Sequence, residues 1–157
     1  MIQGYDKVWS RYLYDIDIKS NEWPWSEEYW RDEVKKYNIK MWMEIEPNKK
    51  PLGFIAYRFV NIKDVIEIEL EEKGTVIHLL KLAVHPDYKN KGIGTKLLEN
   101  VEKIAKLQDV KILVTILHED DKEGREWLLK RGFLARTLRL GAFPDGCDGY
   151  SFVKELV

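Results

Sequence analysis

An apolar run that ends at a proline and leads through a glycine turn into an amphipathic segment constrains this chain most. The run from Val76 to Val84 predicts a buried strand, which Pro86 ends because proline cannot donate to a strand ladder. Gly92-Ile93-Gly94 predicts the turn. Apolar residues then recur at helical spacing, at Ile93, Leu97, Val101 and Ile104. A strand, a turn and a helix start direct several backbone N–H groups at one point, so the pattern predicts a phosphate or pyrophosphate site.

Two common nucleotide-binding motifs do not fit this turn. The dinucleotide fingerprint needs a third glycine, and Leu97 stands at that position. The phosphate loop of NTPases ends in Gly-Lys-Ser/Thr, whereas Gly94-Thr95-Lys96 has its last two residues in the reverse order. A plain nucleotide-binding protein is therefore disfavoured.

The same stretch resembles the acetyl-CoA loop of the GNAT N-acetyltransferase superfamily. Leu82-Ala83-Val84-His85-Pro86 is similar to the family's strand end, Ala-Val-x-Pro, and residues 89–94 are similar to its signature, Arg/Gln-x-x-Gly-x-Gly/Ala. Lys89 stands where arginine or glutamine is usual, which keeps the charge but loses the planar fork. The resemblance implies acetyl-CoA as the cofactor. It also implies contacts from the backbone of Leu82, Ala83, Val84, Lys89, Asn90, Lys91, Gly92, Ile93, Gly94 and Thr95.

The remaining sequence predicts an α/β fold. Further strands are predicted at Met41–Glu46, Leu52–Val60, Val65–Leu70, Lys111–Leu117, Phe133–Leu140 and Tyr150–Leu156. Helices are predicted from Ser26 to about Tyr37, with Asn38 as the stop, and over Lys122–Arg131. Residues 5–18 fit either a helix or a strand, and little chain precedes Tyr5 to form a first strand. This order resembles the GNAT fold, which implies one domain over residues 1–157, with flanking helices and a mixed central sheet splayed between the fourth and fifth strands.

Composition excludes several classes of protein. The 157 residues suit one domain, and 26 Lys+Arg against 27 Asp+Glu do not indicate a nucleic-acid or membrane-surface partner. The chain has no membrane-spanning run and no signal-peptide pattern. Cys147 is the only cysteine, which excludes an internal disulfide and fits a reducing compartment. We therefore expect a cytoplasmic protein without a metal site, and the sequence leaves monomer and homodimer open.

The general base is harder to assign than the cofactor loop. In the histone-acetylating branch of the family, a glutamate lies on the same strand six residues before the valine, and His78 holds that position here. An imidazole with its ordinary pKa near 6.5 can accept a proton at neutral pH. A lone histidine on an apolar strand is, however, usually a packed residue. Glu44, Glu67 and Glu69 are rivals, although a solvated strand face explains them too.

The general acid departs from the family's usual pattern. Many members carry a tyrosine five residues before the phenylalanine of a Gly-Phe pair, and here Leu128 stands at that distance before Gly132-Phe133. Tyr150 and Tyr57 are alternative acids, and solvent can also protonate a thiolate. Cys147 is a conceivable acyl carrier, but a single cysteine without a partnered base is usually inert.

Together these features predict an acetyl-CoA-dependent N-acetyltransferase that transfers the acetyl group directly to a primary amine in a ternary complex. Deprotonation by an imidazole costs about 2 kcal/mol for an α-amine and about 5 kcal/mol for a lysine, which mildly favours an N-terminal or weakly basic acceptor. Trp25-Ser26-Glu27-Glu28 also resembles ribosomal-protein alanine acetyltransferases, so a protein N-terminus or lysine is favoured over a small amine. The alternative is a non-catalytic acyl-CoA-binding regulatory module. Trp23, Trp25, Tyr29, Trp30 and Trp42 fit either the core or the acceptor mouth.

Overall fold

A computed structural model describes residues 1–47, 49–62 and 74–156. The predicted strand Val65–Leu70, with Glu67 and Glu69, lies outside the described residues. Within the described ranges, no helix has both the length and the apolar character needed to cross a membrane.

Strands and helices lie in the predicted order. The strands are β1 (Ile2–Gly4), β2 (Lys40–Ile45), β3 (Pro51–Asn61), β4 (Thr75–Val84), β5 (Ile112–His118), β6 (Leu134–Arg139) and β7 (Gly149–Glu155). The helices are α1 (Ser10–Ser20), α2 (Val34–Lys36), α3 (Ile93–Leu107) and α4 (Lys122–Lys130). A π-helical turn, Tyr29–Glu33, leads directly into α2.

The described strands form one mixed sheet with the order β1-β2-β3-β4-β5-β7-β6. Its parallel ladder joins β4 to β5 and pairs Ile77 with Leu113 and His78 with Val114, near the start of β4. Such a short parallel ladder is consistent with the predicted splay between these two strands. The predicted α/β class and mixed sheet with flanking helices are confirmed.

The start of the chain resolves the ambiguity of residues 5–18. Helix α1 begins in this range and continues to Ser20, and no strand lies in the range. The first strand is the short β1 segment that precedes Tyr5. β1 pairs antiparallel with β2, and its three residues are enough because β2 supplies the partner groups. Little chain precedes Tyr5, as the sequence indicated, yet it forms the first strand. The predicted caps are confirmed, since the Ser26 hydroxyl accepts from the Tyr29 amide at 3.1 Å and Asn38 has φ 54°.

The chain contains two compact units, Met1–Arg58 with Leu79–Ile104, and Phe59–His78 with Ala105–Val157. The core of the first unit is built by α1, the π turn and strands β2 and β3, and includes Leu13, Ile16, Trp30, Val34, Met43 and Phe54. A core cluster of the second unit contains Ile62, Val76, Ile112, Val114 and Val153. Single-domain folding of residues 1–157 stays a prediction.

Candidate active site

The loop that follows β4 combines two left-handed residues with the start of a helix. Asn90 has φ 62° and Gly92 has φ 78°, and the first intrahelical bond of α3 runs from the Lys96 amide to the Gly92 carbonyl at 3.0 Å. The amides of Ile93 and Gly94 therefore precede the first intrahelical donor, in the turn where a helix has no internal acceptors for its N–H groups. A Cβ added at Gly92 meets no atom within 4 Å, so its φ and not crowding requires glycine there. Together with the positive helix end, this backbone fits a diphosphate group.

The end of β4 is held firmly on its β3 side. The His85 amide donates to the Leu52 carbonyl at 2.8 Å, and a Cβ added at Gly53 would lie 2.8 Å from the Ala83 carbonyl oxygen. β3 and the end of β4 therefore approach closely only because Gly53 lacks a side chain. From α1, the Ser20 hydroxyl donates to the Val84 carbonyl at 2.9 Å. These contacts fix the strand end from which the loop departs.

Lysine side chains surround the loop. Lys89 is exposed with extended backbone, at φ −66° and ψ 157°, and the Lys91 ammonium lies 5.2 Å from the Tyr88 ring centroid. Lys96 instead pairs with Glu44 at 3.2 Å. Phosphate contacts from Lys89 and Lys91 stay a prediction.

Glu44 is poorly suited to be a general base. Its carboxylate accepts hydrogen bonds from the Met1 ammonium at 2.7 Å and from Lys96 at 3.2 Å. Burial raises the pKa of Glu44, but these two cationic hydrogen-bond donors outweigh burial and leave the pKa below its ordinary value. A carboxylate stabilised in its charged form is a weak proton acceptor.

His78 and Tyr150 both belong to the second unit but do not share a face of the sheet. His78 is half-buried and pairs with Val114, while Tyr150 pairs with Leu117. Paired residues share a face and faces alternate along a strand, so Val114 and Leu117, three positions apart, place the two side chains on opposite faces. The Arg125 guanidinium lies 5.7 Å from the Tyr150 ring centroid. A direct proton relay between His78 and Tyr150 is therefore not supported, and each is tested separately.

Burial and hydrogen bonds make the other residues considered for acid, base or acyl-carrier roles poorly suited to them. Tyr57 is 3% exposed, and its hydroxyl accepts from the Trp42 indole at 3.0 Å. Burial raises the pKa of Tyr57, partly offset by that hydrogen bond. Leu128 is buried, so an apolar side chain packs where the family resemblance implied a tyrosine. The Cys147 thiol has its pKa raised to about 12, chiefly by its hydrogen bond to Asp145. A protonated thiol is a weak nucleophile, in agreement with the expectation of an inert cysteine.

The structure adds a buried ion pair that the sequence analysis missed. Asp17 of α1 is fully buried, and one of its carboxylate oxygens accepts from the Lys81 ammonium at 2.8 Å and from the Asn21 amide group at 2.6 Å. The other oxygen accepts from the Trp25 amide at 2.9 Å and the Trp30 indole at 3.3 Å. Burial lowers the pKa of Lys81, partly offset by Asp17. Asp17 thus connects α1 to the tryptophan-rich segment, residues 23–30, and to Lys81 of β4. Lys81 directly precedes Leu82 in the chain.

The tryptophan-rich segment divides between the two predicted roles. Trp30 is 2% exposed and packs edge-on against Phe54, as a core residue does. Trp25 is half-buried beside Tyr29 and lies 5.0 Å below the Lys81 ammonium, while Trp23 is 37% exposed. Trp23 and Trp25 are therefore accessible enough to contact an acceptor, whereas Trp30 is buried and is not.

Comparisons with known proteins agree with this architecture. The model of the acetyltransferase (GNAT) family matches residues 10–133. A curated relative, the spermidine N(1)-acetyltransferase of Thermoplasma acidophilum, is 27% identical over 149 residues, which cover 89% of this chain and 87% of the relative.

Solved structures show the same fold. The ribosomal-protein-S18-alanine N-acetyltransferase of Escherichia coli has a TM-score of 0.77 at 20% identity, covering 99% of this chain and 93% of its own. Arabidopsis thaliana NAA60, solved in complex with acetyl-CoA, has a TM-score of 0.81 at 18% identity, covering 99% and 97%. Since the family model spans most of the sequence, the chain belongs to the acetyltransferase (GNAT) family.

Proposed function

We propose that this protein transfers the acetyl group of acetyl-CoA directly to a primary amine in a ternary complex. The observation that carries the proposal is the backbone of residues 89–95, where left-handed Asn90 and Gly92 precede the N-terminus of α3. This arrangement suits the pyrophosphate of CoA, which is the cofactor present in the acetyl-CoA complex of the NAA60 structure.

The chain's own groups have distinct roles in this proposal. Bound acetyl-CoA supplies a thioester whose C–S bond breaks as the amine nitrogen bonds to the carbonyl carbon. Backbone groups of Leu82, Ala83 and Val84 bind the pantetheine arm, and an amide of this strand donates to the thioester oxygen. Residues 89–95 bind the pyrophosphate, with Lys89 and Lys91 adding positive charge. His78 accepts the proton that the amine loses, and Tyr150 or solvent returns one to the thiolate.

The acceptor that we favour is a protein N-terminus or a lysine, and a small amine is the rival. Support for a peptide acceptor comes from the fold shared with the ribosomal-protein-S18-alanine N-acetyltransferase. Further support comes from the exposed Trp23 and the half-buried Trp25. Support for the rival comes from the spermidine acetyltransferase relative. Both acceptors are primary amines, so they need the same chemistry and differ in the surface that binds them.

The proposal is tested by following free thiol release from acetyl-CoA. The panel contains peptides with a free α-amine, N-terminally blocked peptides with one lysine, and spermidine, each against a fully blocked peptide. Release that requires a free amine supports the transferase, and the preferred acceptor identifies the class. Spermidine alone as substrate would overturn the peptide assignment but not the transferase.

A non-catalytic acyl-CoA-binding module is the second candidate, and buried Leu128 at the usual tyrosine position favours it. Tight CoA binding without thiol release across the panel would support this module and contradict the transferase. Absence of CoA binding would contradict both.

His78 is tested by a His78→Gln variant, which keeps hydrogen-bonding capacity but cannot act as a base near neutral pH. We expect a loss of kcat of about 10²–10⁴-fold with unchanged CoA affinity, together with loss of the acidic limb of the kcat/KM profile. A Tyr150→Phe variant measured in parallel tests the acid. An unchanged rate and pH profile would remove the substituted residue from the mechanism.

A further inference from the structure

Residues far apart in sequence bring nitrogen, sulfur and oxygen donors together in the second unit. His118 ends β5, Asp120 follows it, and Cys147 lies in the loop that joins β6 to β7. One ligand atom from each of these three side chains lies within 4.8 Å of the other two. The transferase proposal assigns no role to any of them.

Two more carboxylates surround the three donors. His118 Nε2 is bonded to Asp145 Oδ2 at 2.8 Å, and the Asp120 amide donates to His118 Nδ1 at 3.1 Å. Asp145 also accepts from the Cys147 amide at 2.9 Å. Asp145 and, to a smaller extent, Glu119 raise the pKa of the Cys147 thiol. Several acidic groups thus surround one sulfur and one imidazole, which favours a dication at this point.

The loop that carries Cys147 is held in place by hydrogen bonds from backbone amides and by packing of the Phe143 ring. The Glu119 amide donates to the Asp148 carbonyl at 3.0 Å, and the Gly141 amide donates to the Asp148 carboxylate at 2.9 Å. A Cβ added at Gly149 would lie 2.8 Å from the Phe143 ring, which packs 4.7 Å from His118 between ring centroids. The backbone therefore presents the donors before any ligand binds.

We propose that His118, Asp120 and Cys147 form a binding site for a divalent metal ion of the zinc class. An imidazole nitrogen, a thiolate and a carboxylate are the ligand types of tetrahedral Zn²⁺ sites, whereas Mg²⁺ and Ca²⁺ prefer oxygen ligands alone. Three protein ligands leave the fourth position to water.

Small side-chain movements complete the coordination sphere. An oxygen, a nitrogen and a sulfur ligand of tetrahedral Zn²⁺ lie about 3.3–3.6 Å apart, so donor atoms within 4.8 Å of one another need to approach by at most about 1.5 Å. One of the two hydrogen bonds of the His118 ring is exchanged for a bond to the metal. The Cys147 S–H bond releases its proton to solvent as the sulfur–metal bond forms, with no change of oxidation state. The metal then holds the β6–β7 loop against the end of β5.

Co²⁺ is the probe, because a bound cobalt–thiolate pair gives a near-ultraviolet charge-transfer band that aqueous Co²⁺ lacks. The full chain is titrated with Co²⁺ and then with Zn²⁺ as competitor. We expect one equivalent of Co²⁺ to produce the band and Zn²⁺ to remove it. Cys147→Ser should abolish the band, and Asp120→Asn and His118→Ala should each weaken binding at least about tenfold.

A second histidine–aspartate pair, His85 and Asp87, provides the matched control. Its ring nitrogen and carboxylate oxygen lie 3.8 Å apart, but the pair is not part of the His118–Asp120–Cys147 group. His85→Ala and Asp87→Asn should leave Co²⁺ affinity unchanged. Circular dichroism establishes that each variant is folded before titration. No charge-transfer band in the folded wild-type protein, or a band that survives Cys147→Ser, would overturn the proposal. Since the readout is metal binding, its outcome is independent of transferase activity.

Discussion

Replacement of Lys81 by methionine tests whether the buried ion pair stabilises the first unit. Its ammonium lies 2.8 Å from Asp17, and the two side chains are only 9% and 0% exposed. Lys81→Met keeps most of the side-chain volume but leaves the Asp17 carboxylate buried with uncharged donors alone. Loss of one partner of a buried pair costs about 3–5 kcal/mol. For a chain of this size, each kcal/mol lowers Tm by about 2–4 °C, so we expect a decrease of about 6–20 °C.

Lys19 provides the matched control, because it pairs with Asp15 at nearly the same distance, 2.9 Å, but with side chains 49% and 57% exposed. An exposed i,i+4 pair contributes about 0.3–0.5 kcal/mol, so Lys19→Met should lower Tm by no more than about 2 °C. The assay is thermal unfolding by circular dichroism near 0.15 M salt. The double variant Asp17→Asn/Lys81→Met should recover much of the loss because it removes both charges. Equal Tm values for Lys81→Met and Lys19→Met would refute the reasoning.

Three further outcomes are expected. Gly53→Ala places a Cβ 2.8 Å from the Ala83 carbonyl and should weaken CoA binding measured by calorimetry, whereas Gly4→Ala, with its nearest atom at 3.7 Å, should not. Gly92→Ala forces φ 78° on an L-residue and should cost about 1–2 kcal/mol in denaturant unfolding; an unchanged midpoint would contradict this. The pKa of Glu44 lies below its ordinary 4.5 when folded, so its stabilisation is present above pH 4.5 and lost as pH falls. Glu44→Gln should therefore reduce the decrease in unfolding free energy as pH falls below 4.5. The same slope of unfolding free energy against pH in the variant and the wild type would contradict this.

Local signals in the sequence predicted most of the elements, including the strand, turn and helix around the proposed CoA loop. Strand β4 and helix α3 were predictable because burial periodicity, Pro86 and Gly92 each act over a few residues. The family resemblance depends on the same stretch, since backbone recognition of a diphosphate needs a fixed order of strand, turn and helix. β1 was missed because three residues carry no periodic signal, and only pairing with β2 makes them a strand.

By itself, then, the sequence determined the fold class and the loop proposed to hold CoA, because both depend on contacts between near neighbours in the chain. Tertiary structure alone decided which charged side chains meet. Asp17 lies far from Lys81 in sequence, and Cys147 lies far from His118 and Asp120. The contact between α1 and β4 joins the first pair, and the pairing of β5 with β7 brings the other three together. The physical reason is that electrostatic and coordinating interactions depend on distance in space and on burial. Neither quantity can be read from spacing along the chain.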